Sequence, residues 1–153
     1  MGLQVTGIGS RVAGQHPKPE DRYSMNARPK IESWKDLEVW KLSHALVLQV
    51  YKITKNFPAD ERFRLTDQLT RSAASVPTNI AEGKGRNALK EYLYFLSIAK
   101  GSVEETKYLL LLSKDLGYVS PALFAELSDG YDQVSKMLTG LARSLRVHLP
   151  SRT

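Results

Sequence analysis

Between Leu65 and Arg86 the chain carries two helical stripes side by side, and few folds accommodate both. Leu65, Leu69, Ala73, Val76 and Ile80 recur at steps of four, four, three and four, which places them on one face of an α-helix turned toward a core. Gln68, Ser72, Ser75, Asn79 and Glu82 recur at four, three, four and three, with Arg71 beside them. A solvated face is normally filled with Lys and Glu, so this stripe of small and polar groups predicts close contact with another element. The stretch ends at Gly83-Lys84-Gly85, where glycine in the left-handed conformation would stop the helix. Pro77 lies inside and predicts a kink or a restart, because it has no N–H to donate.

Three further helical segments accompany this one. Ser33, with Asp36 three residues on, gives a capping-box start to a first helix running to about Asn56, and Pro58 stops it. That helix has two apolar stripes. One is Leu37, Trp40, Val47 and Tyr51, with His44 in line; the other is Val39, Leu42, Leu46, Val50, Ile53 and Phe57. A surface helix of a lone bundle needs only one. Val39, Leu42, Leu46, Val50 and Ile53 are therefore expected to meet a neighbouring copy of the chain, the alternative being a helix deep within the monomer. Asn87 is placed to cap a third helix running to about Leu116, with Leu89, Leu93, Leu96, Ala99, Val103, Thr106, Leu110 and Ser113 on its core edge. Gly101 and Ser102 fall midway, where a missing side chain would let another helix approach. Gly117 ends this helix, Ser120 and Pro121 open a fourth, and Leu123, Leu127, Tyr131, Val134, Leu138, Leu141, Leu145 and His148 carry it to Pro150.

Four amphipathic helices, short loops and no strand pattern predict an all-α fold, an antiparallel up-down-up-down four-helix bundle over residues 34–149. Residues 1–33 hold four of the ten glycines and three of the seven prolines without an apolar period. They read as a flexible tail, with Met25 as an alternative start, and residues 150–153 as a short C-terminal tail. At 153 residues, a single domain is expected.

Little in the chain suggests chemistry. Without cysteine there is no disulfide framework or thiolate metal site, a composition suited to a reducing cytosol. His16, His44 and His148 are far apart and have no second ligand at helical spacing, so neither a metal nor a cofactor is expected. Gly83-Lys84-Gly85-Arg86 lacks the spacing of a phosphate-binding loop and follows no strand. No nucleophile has a base nearby, and a non-enzymatic role is expected. No apolar run reaches the length of about 18 residues that a membrane span requires, and the first residues lack the apolar core of a secretory signal.

A net charge of +6 favours polyanionic partners. Lys84, Arg86 and Lys90 cluster where the second helix turns into the third, and they are the expected contacts to the phosphates of RNA or DNA. Repeated around an oligomer, the cluster would become a positive rim. Gln68, Arg71, Asn79, Glu82, Ser102 and Glu105 are expected to form a structural polar network, with Arg71 paired to Glu105 across the second and third helices.

The stretches DLEVWKLSHALVLQVYKITKNFP, DQLTRSAASVPTNIAEGKGR and EYLYFLSIAKGSVEE together resemble the four-helix-bundle proteins called 23S rRNA-intervening sequence proteins, over about residues 34–143. The resemblance implies a cytoplasmic bacterial protein that assembles as a homopentamer. The family's pattern falls here on Gln68, Arg71, Asn79, Glu82, Gly83, Arg86, Gly101, Ser102 and Glu105, while Thr70 stands where arginine is common. A more distant similarity to accessory proteins of diversity-generating retroelements implies a pentamer that binds nucleic acid and a reverse transcriptase. A protein-interaction scaffold without a nucleic-acid role is the alternative.

Overall fold

The structure is a computed structural model that describes residues 30–150. Residues 1–29 of the expected N-terminal tail, with the alternative start at Met25 and His16, fall outside the described residues, as do the last three positions of the C-terminal tail. Ser33 and Asp36 form the capping box that their spacing predicts, Asp36 Oδ2 accepting from Ser33 N at 2.9 Å and Ser33 Oγ from Lys35 N at 3.2 Å. The backbone amides of Ser33 and Glu32, Ser33 N–H first, donate to Asp36 and hold its carboxyl below the ordinary carboxylate range. The box closes over a single 3-10 turn, Trp34–Asp36, and not over the helix itself. Leu37 is extended and buried, and it separates the turn from α1, Glu38–Thr54. A second 3-10 turn, Ala59–Glu61, follows Pro58 and leads into α2, Leu65–Lys84. α3 spans Leu89–Asp115 and α4 spans Pro121–Arg146; no strand occurs among the described residues.

Each helix packs on its neighbour in sequence, and α4 closes the ring against α1. The pairs that touch reveal the direction. Ser72 meets Thr106 and Ser75 meets Ser102, so numbers rise on α2 as they fall on α3. Lys100 meets Thr139 and Lys107 meets Asp132, which makes α3 and α4 antiparallel as well. The resulting core is the one the α2 stripe predicts: Leu69, Ala73, Val76 and Ile80 are wholly buried beside Leu110, Val134 and Leu138.

Several expectations need correction. Val39, Leu46 and Val50 of the stripe assigned to a neighbouring copy lie in this chain's own core, with Leu42 and Ile53 packed against it. The outward side of α1 instead carries Leu48, 58% exposed, and Tyr51, 52% exposed. The α1 turn that would point the Val39 stripe outward is fixed by α4, whose Gly130 lets Leu46 come close: a Cβ there would stand 2.8 Å from Leu46 Cδ2. Pro77 does not restart α2: it is buried within one continuous helix, and Thr78 Oγ1 donates to the Ala74 carbonyl at 2.8 Å beside the missing bond.

The glycines are used differently from expectation. Gly83 is helical and buried, and a Cβ on it would fall 2.9 Å from both Phe95 Cβ and Tyr92 Cδ2, so its task is to let α3 approach. Gly85 is also right-handed, at φ −76°. A Cβ on Gly101 would meet nothing within 4 Å and the residue is exposed, so no described helix approaches there. Gly117 does take the left-handed conformation, φ +82°, where Tyr118 N bonds the Ser113 carbonyl and Gly117 N the Lys114 carbonyl, both at 2.9 Å. Ser120 caps α4 through its Oγ to Leu123 N, with Pro121 opening the helix as expected.

Two measurements test this packing. In denaturant melts, Gly83→Ala is expected to lose about 1–3 kcal/mol by forcing α2 and α3 apart. Gly101→Ala, with open space around it, should gain about 0.5–1 kcal/mol from helix propensity. The Tyr131 hydroxyl is enclosed without a hydrogen-bond partner, and burial pushes its pKa well above the ordinary tyrosine range. Ionisation is then confined to the unfolded state, so Tyr131 opposes stability as pH rises past about 10. Tyr131→Phe should raise stability at neutral pH by about 1 kcal/mol and flatten part of the alkaline decline, read by melts from pH 7 to 11.

Candidate nucleic-acid interface

The turn between α2 and α3 is short because Gly83 draws the two helices together just before it. Lys84 is the last residue of α2, Gly85 its C-cap, and Lys90 the second residue of α3. Ala88, not Asn87, occupies the N-cap position, and no side chain caps the first turn of α3. Its leading amides therefore add the positive end of a helix dipole to the same region. Arg86 lies with its guanidinium carbon 4.8 Å from the Phe95 ring centroid, a cation–π contact that holds it against α3. Lys84 is half-buried, and Arg86 and Lys90 are exposed. The structure thus brings the three expected cations to one end of the bundle. None has a carboxylate partner among the described residues, whereas Lys41, Arg71 and Lys107 are each paired with one. Glu82 and Glu91 lie on the adjoining turns and moderate the local charge.

The expected polar network is only partly assembled. Ser75 Oγ and Ser102 Oγ are 2.8 Å apart, Asn79 Nδ2 donates to Ser75 Oγ at 2.9 Å and to the Ser75 carbonyl at 2.8 Å, and Thr106 Oγ1 lies 3.0 Å from Ser72 Oγ. Ser102 and Asn79 belong to it as predicted; Ser72, Ser75 and Thr106 complete it. Arg71 does not pair with Glu105. Its Nε donates to Asp67 Oδ1 at 2.9 Å one turn back on α2, and its side chain is 79% exposed. A guanidinium on the outer edge of the seam finds a carboxylate on its own helix without losing water, so the cross-helix pair has no advantage. Gln68, Glu82 and Glu105 are exposed and stand outside the seam. Thr106 could have been found in the sequence, since it falls on the core edge of α3 opposite the serine stripe.

On the other side of α2 an open cleft of about 400 Å³ runs between this helix, α1 and the Trp34 turn. Trp34 and Trp40 are tilted with centroids 4.6 Å apart, and Trp40 stacks on His44 at 5.0 Å with planes 9° apart. His44 is therefore exposed and ring-stacked, not a packed core residue. Among the described residues no three His, Cys, Asp or Glu side chains converge on a point that could hold a metal. No described helix is long and apolar enough to cross a membrane.

A family model, 23S rRNA-intervening sequence protein, matches residues 35–140. The chain belongs to this family. The match covers all of α1, α2 and α3 and most of α4, including the turn that carries Lys84, Arg86 and Lys90. A solved structure from the S23 ribosomal protein family, a protein of unknown function from Bacteroides thetaiotaomicron, is 21% identical. It covers 69% of this chain and 95% of its own at a TM-score of 0.64, which is similarity of fold. No curated protein matches the chain in sequence.

The seam and the exposed pair in this 23S rRNA-intervening sequence family member respond differently to truncation. Arg71→Ala should change stability by less than about 0.5 kcal/mol, as expected for an exposed ion pair. Ser102→Ala should lose about 0.5–1.5 kcal/mol, and a Ser75→Ala, Ser102→Ala double-mutant cycle should show coupling.

Proposed function

We propose that the protein is a non-catalytic homo-oligomer that binds RNA or DNA through backbone phosphates. The observation that carries this reading is the grouping of Lys84, Arg86 and Lys90, without carboxylate partners among the described residues, beside the start of α3, which no side chain caps. Lysine supplies point charge and arginine a two-donor fork, the two ways proteins grip phosphate. Such contacts carry little sequence preference. Assembly is supported by the outward apolar residues Leu48 and Tyr51 on α1 and Tyr94, Tyr108 and Leu111 on α3, surface that a second copy would cover. A ring of five, the number the family resemblance implies, would set five such clusters on one rim and multiply a weak contact.

Fluorescence anisotropy with labelled single-stranded RNA and duplex DNA across a salt series tests the reading. Affinity should fall with a log–log slope of about −0.7 to −0.9 per phosphate neutralised. Replacing Lys84, Arg86 and Lys90 together with Gln should make that slope shallower by about one for each cation removed. Binding that is flat across salt, or unchanged in the triple variant, overturns the proposal. Light scattering supplies the subunit number, and a protein retained at stoichiometric level from nuclease-treated lysate would favour a scaffold role, with a reverse transcriptase as one candidate partner.

A further inference from the structure

The seam between α3 and α4 changes character along its length. At one level Lys107 of α3 faces the Asp132 carboxylate of α4, and the two charges satisfy each other. Seven residues earlier on α3, Lys100 faces a hydroxyl instead: its Nζ donates to Thr139 Oγ1 at 2.9 Å, and Thr139 donates in turn to the Ser135 carbonyl at 3.0 Å. An ammonium carries three donors, so Lys100 keeps two of them open. In this antiparallel register Ser97, three residues before Lys100, comes level with Ala142, three after Thr139, and Arg146 lies one turn beyond Ala142. Two short side chains face each other there and leave a gap. It is a pocket of about 110 Å³, backed by the buried Leu96 and Leu138 and bracketed by Lys100 on one helix and Arg146 on the other.

The pocket offers donors almost exclusively. Arg146 and the Ser97 hydroxyl have no hydrogen bond or ion pair among the described residues. No Asp or Glu lines the pocket; α3 has none from Tyr92 to Val103, and α4 none from Gln133 to Arg146. These features narrow the occupant. The volume is well below the roughly 300 Å³ at which pockets take a drug-sized molecule, so a base or an aromatic ring is too large. An apolar side chain from a second copy would strip water from two unmatched cations, and a cation would be repelled. A small anion remains, and a tetrahedral one with several oxygens can engage a guanidinium fork, an ammonium and a hydroxyl together.

We infer that this pocket holds one phosphate group, with the Arg146 guanidinium, Lys100 Nζ and the Ser97 hydroxyl donating to its oxygens. The group is either a backbone phosphate of a nucleic acid or phosphate free in solution. The inference goes beyond the nucleic-acid reading above, since none of these residues belongs to the α2–α3 turn on which that reading stands.

Two measurements on the full chain test it, each repeated on the double variant Lys100→Gln, Arg146→Gln. Both side chains are exposed, and the variant's Tm in chloride verifies that it folds. In melts at equal pH and ionic strength, phosphate should raise Tm over chloride by mass action on the folded chain, and acetate should not. Phosphate also strengthens burial in general, so the readout is the part of the shift that the variant loses. Anisotropy with single-stranded RNA across a salt series separates the two sources. For a backbone phosphate, the variant should bind about tenfold more weakly at fixed salt, and its log–log slope should be shallower by about 0.7, the value for one phosphate of a single strand. For free phosphate, RNA binding stays as it was while the Tm effect persists. A slope shallower by about 1.4 overturns the pocket, because Lys100 and Arg146 are then two separate surface contacts. Acetate that matches phosphate overturns it too, as does a variant that alters neither the phosphate shift nor the slope. RNA that fails to bind at low salt removes the nucleic-acid reading and leaves the melts alone to decide the pocket.

Discussion

Gly83 sets how closely α2 and α3 can approach, and the rest of the bundle is arranged around that distance. With no Cβ at this point, Tyr92 and Phe95 pack directly on the α2 backbone. Below it the facing side chains are short: Ser72 and Ser75 from α2, Ser102 and Thr106 from α3. Each hydroxyl has two partners: Ser72, Ser102 and Thr106 bond across the seam and to carbonyls of their own helices, such as Thr106 to the Ser102 carbonyl at 2.7 Å and Ser72 to the Leu69 carbonyl at 3.1 Å, and Ser75 bonds Ser102 and accepts from Asn79 Nδ2. A seam of small hydroxyl residues can therefore be buried without leaving polar groups unmatched. The long aliphatic side chains of both helices are free to turn inward toward α1 and α4.

That same approach determines what the end of the bundle can present. Two helices in close contact can be joined by a short turn, so Lys84, Arg86 and Lys90 arrive within one connection and the start of one helix. Because α1 runs antiparallel to α2, its beginning lies beside the end of α2, and the Trp34 turn is brought against Ala81 and Glu82. The basic turn is local and can be read in the linear chain, whereas the aromatic cleft is a product of topology and cannot.

The architecture was legible in the sequence because periodicity reports burial directly. Leu65 to Ile80 lines the core as its spacing predicts, and the Ser120-Pro121 start and Gly117 stop follow from backbone chemistry alone. Periodicity does not report which neighbour a stripe meets. Both stripes of α1 read alike, yet Val39, Leu46 and Val50 are enclosed by the chain's own helices. Charge pairing was equally hidden: Asp67, one turn from Arg71, competes with Glu105, and only the exposed position of the guanidinium decides between them. Glycine was ambiguous for a similar reason. Gly83, Gly101, Gly117 and Gly130 serve as contact point, open surface, left-handed stop and contact point respectively, and those tasks depend on what lies opposite.

The most extensive interface joins α2 and α3, which are consecutive in the chain. Closing a hairpin of neighbours sacrifices far less chain entropy than bringing α1 to α4 across the whole length of the domain. The α2–α3 hairpin is consequently positioned to form early and to act as the template on which the two outer helices condense. On this view the seam governs the order of folding as well as its outcome, and the turn bearing the basic residues is among the first parts of the molecule to acquire its final shape.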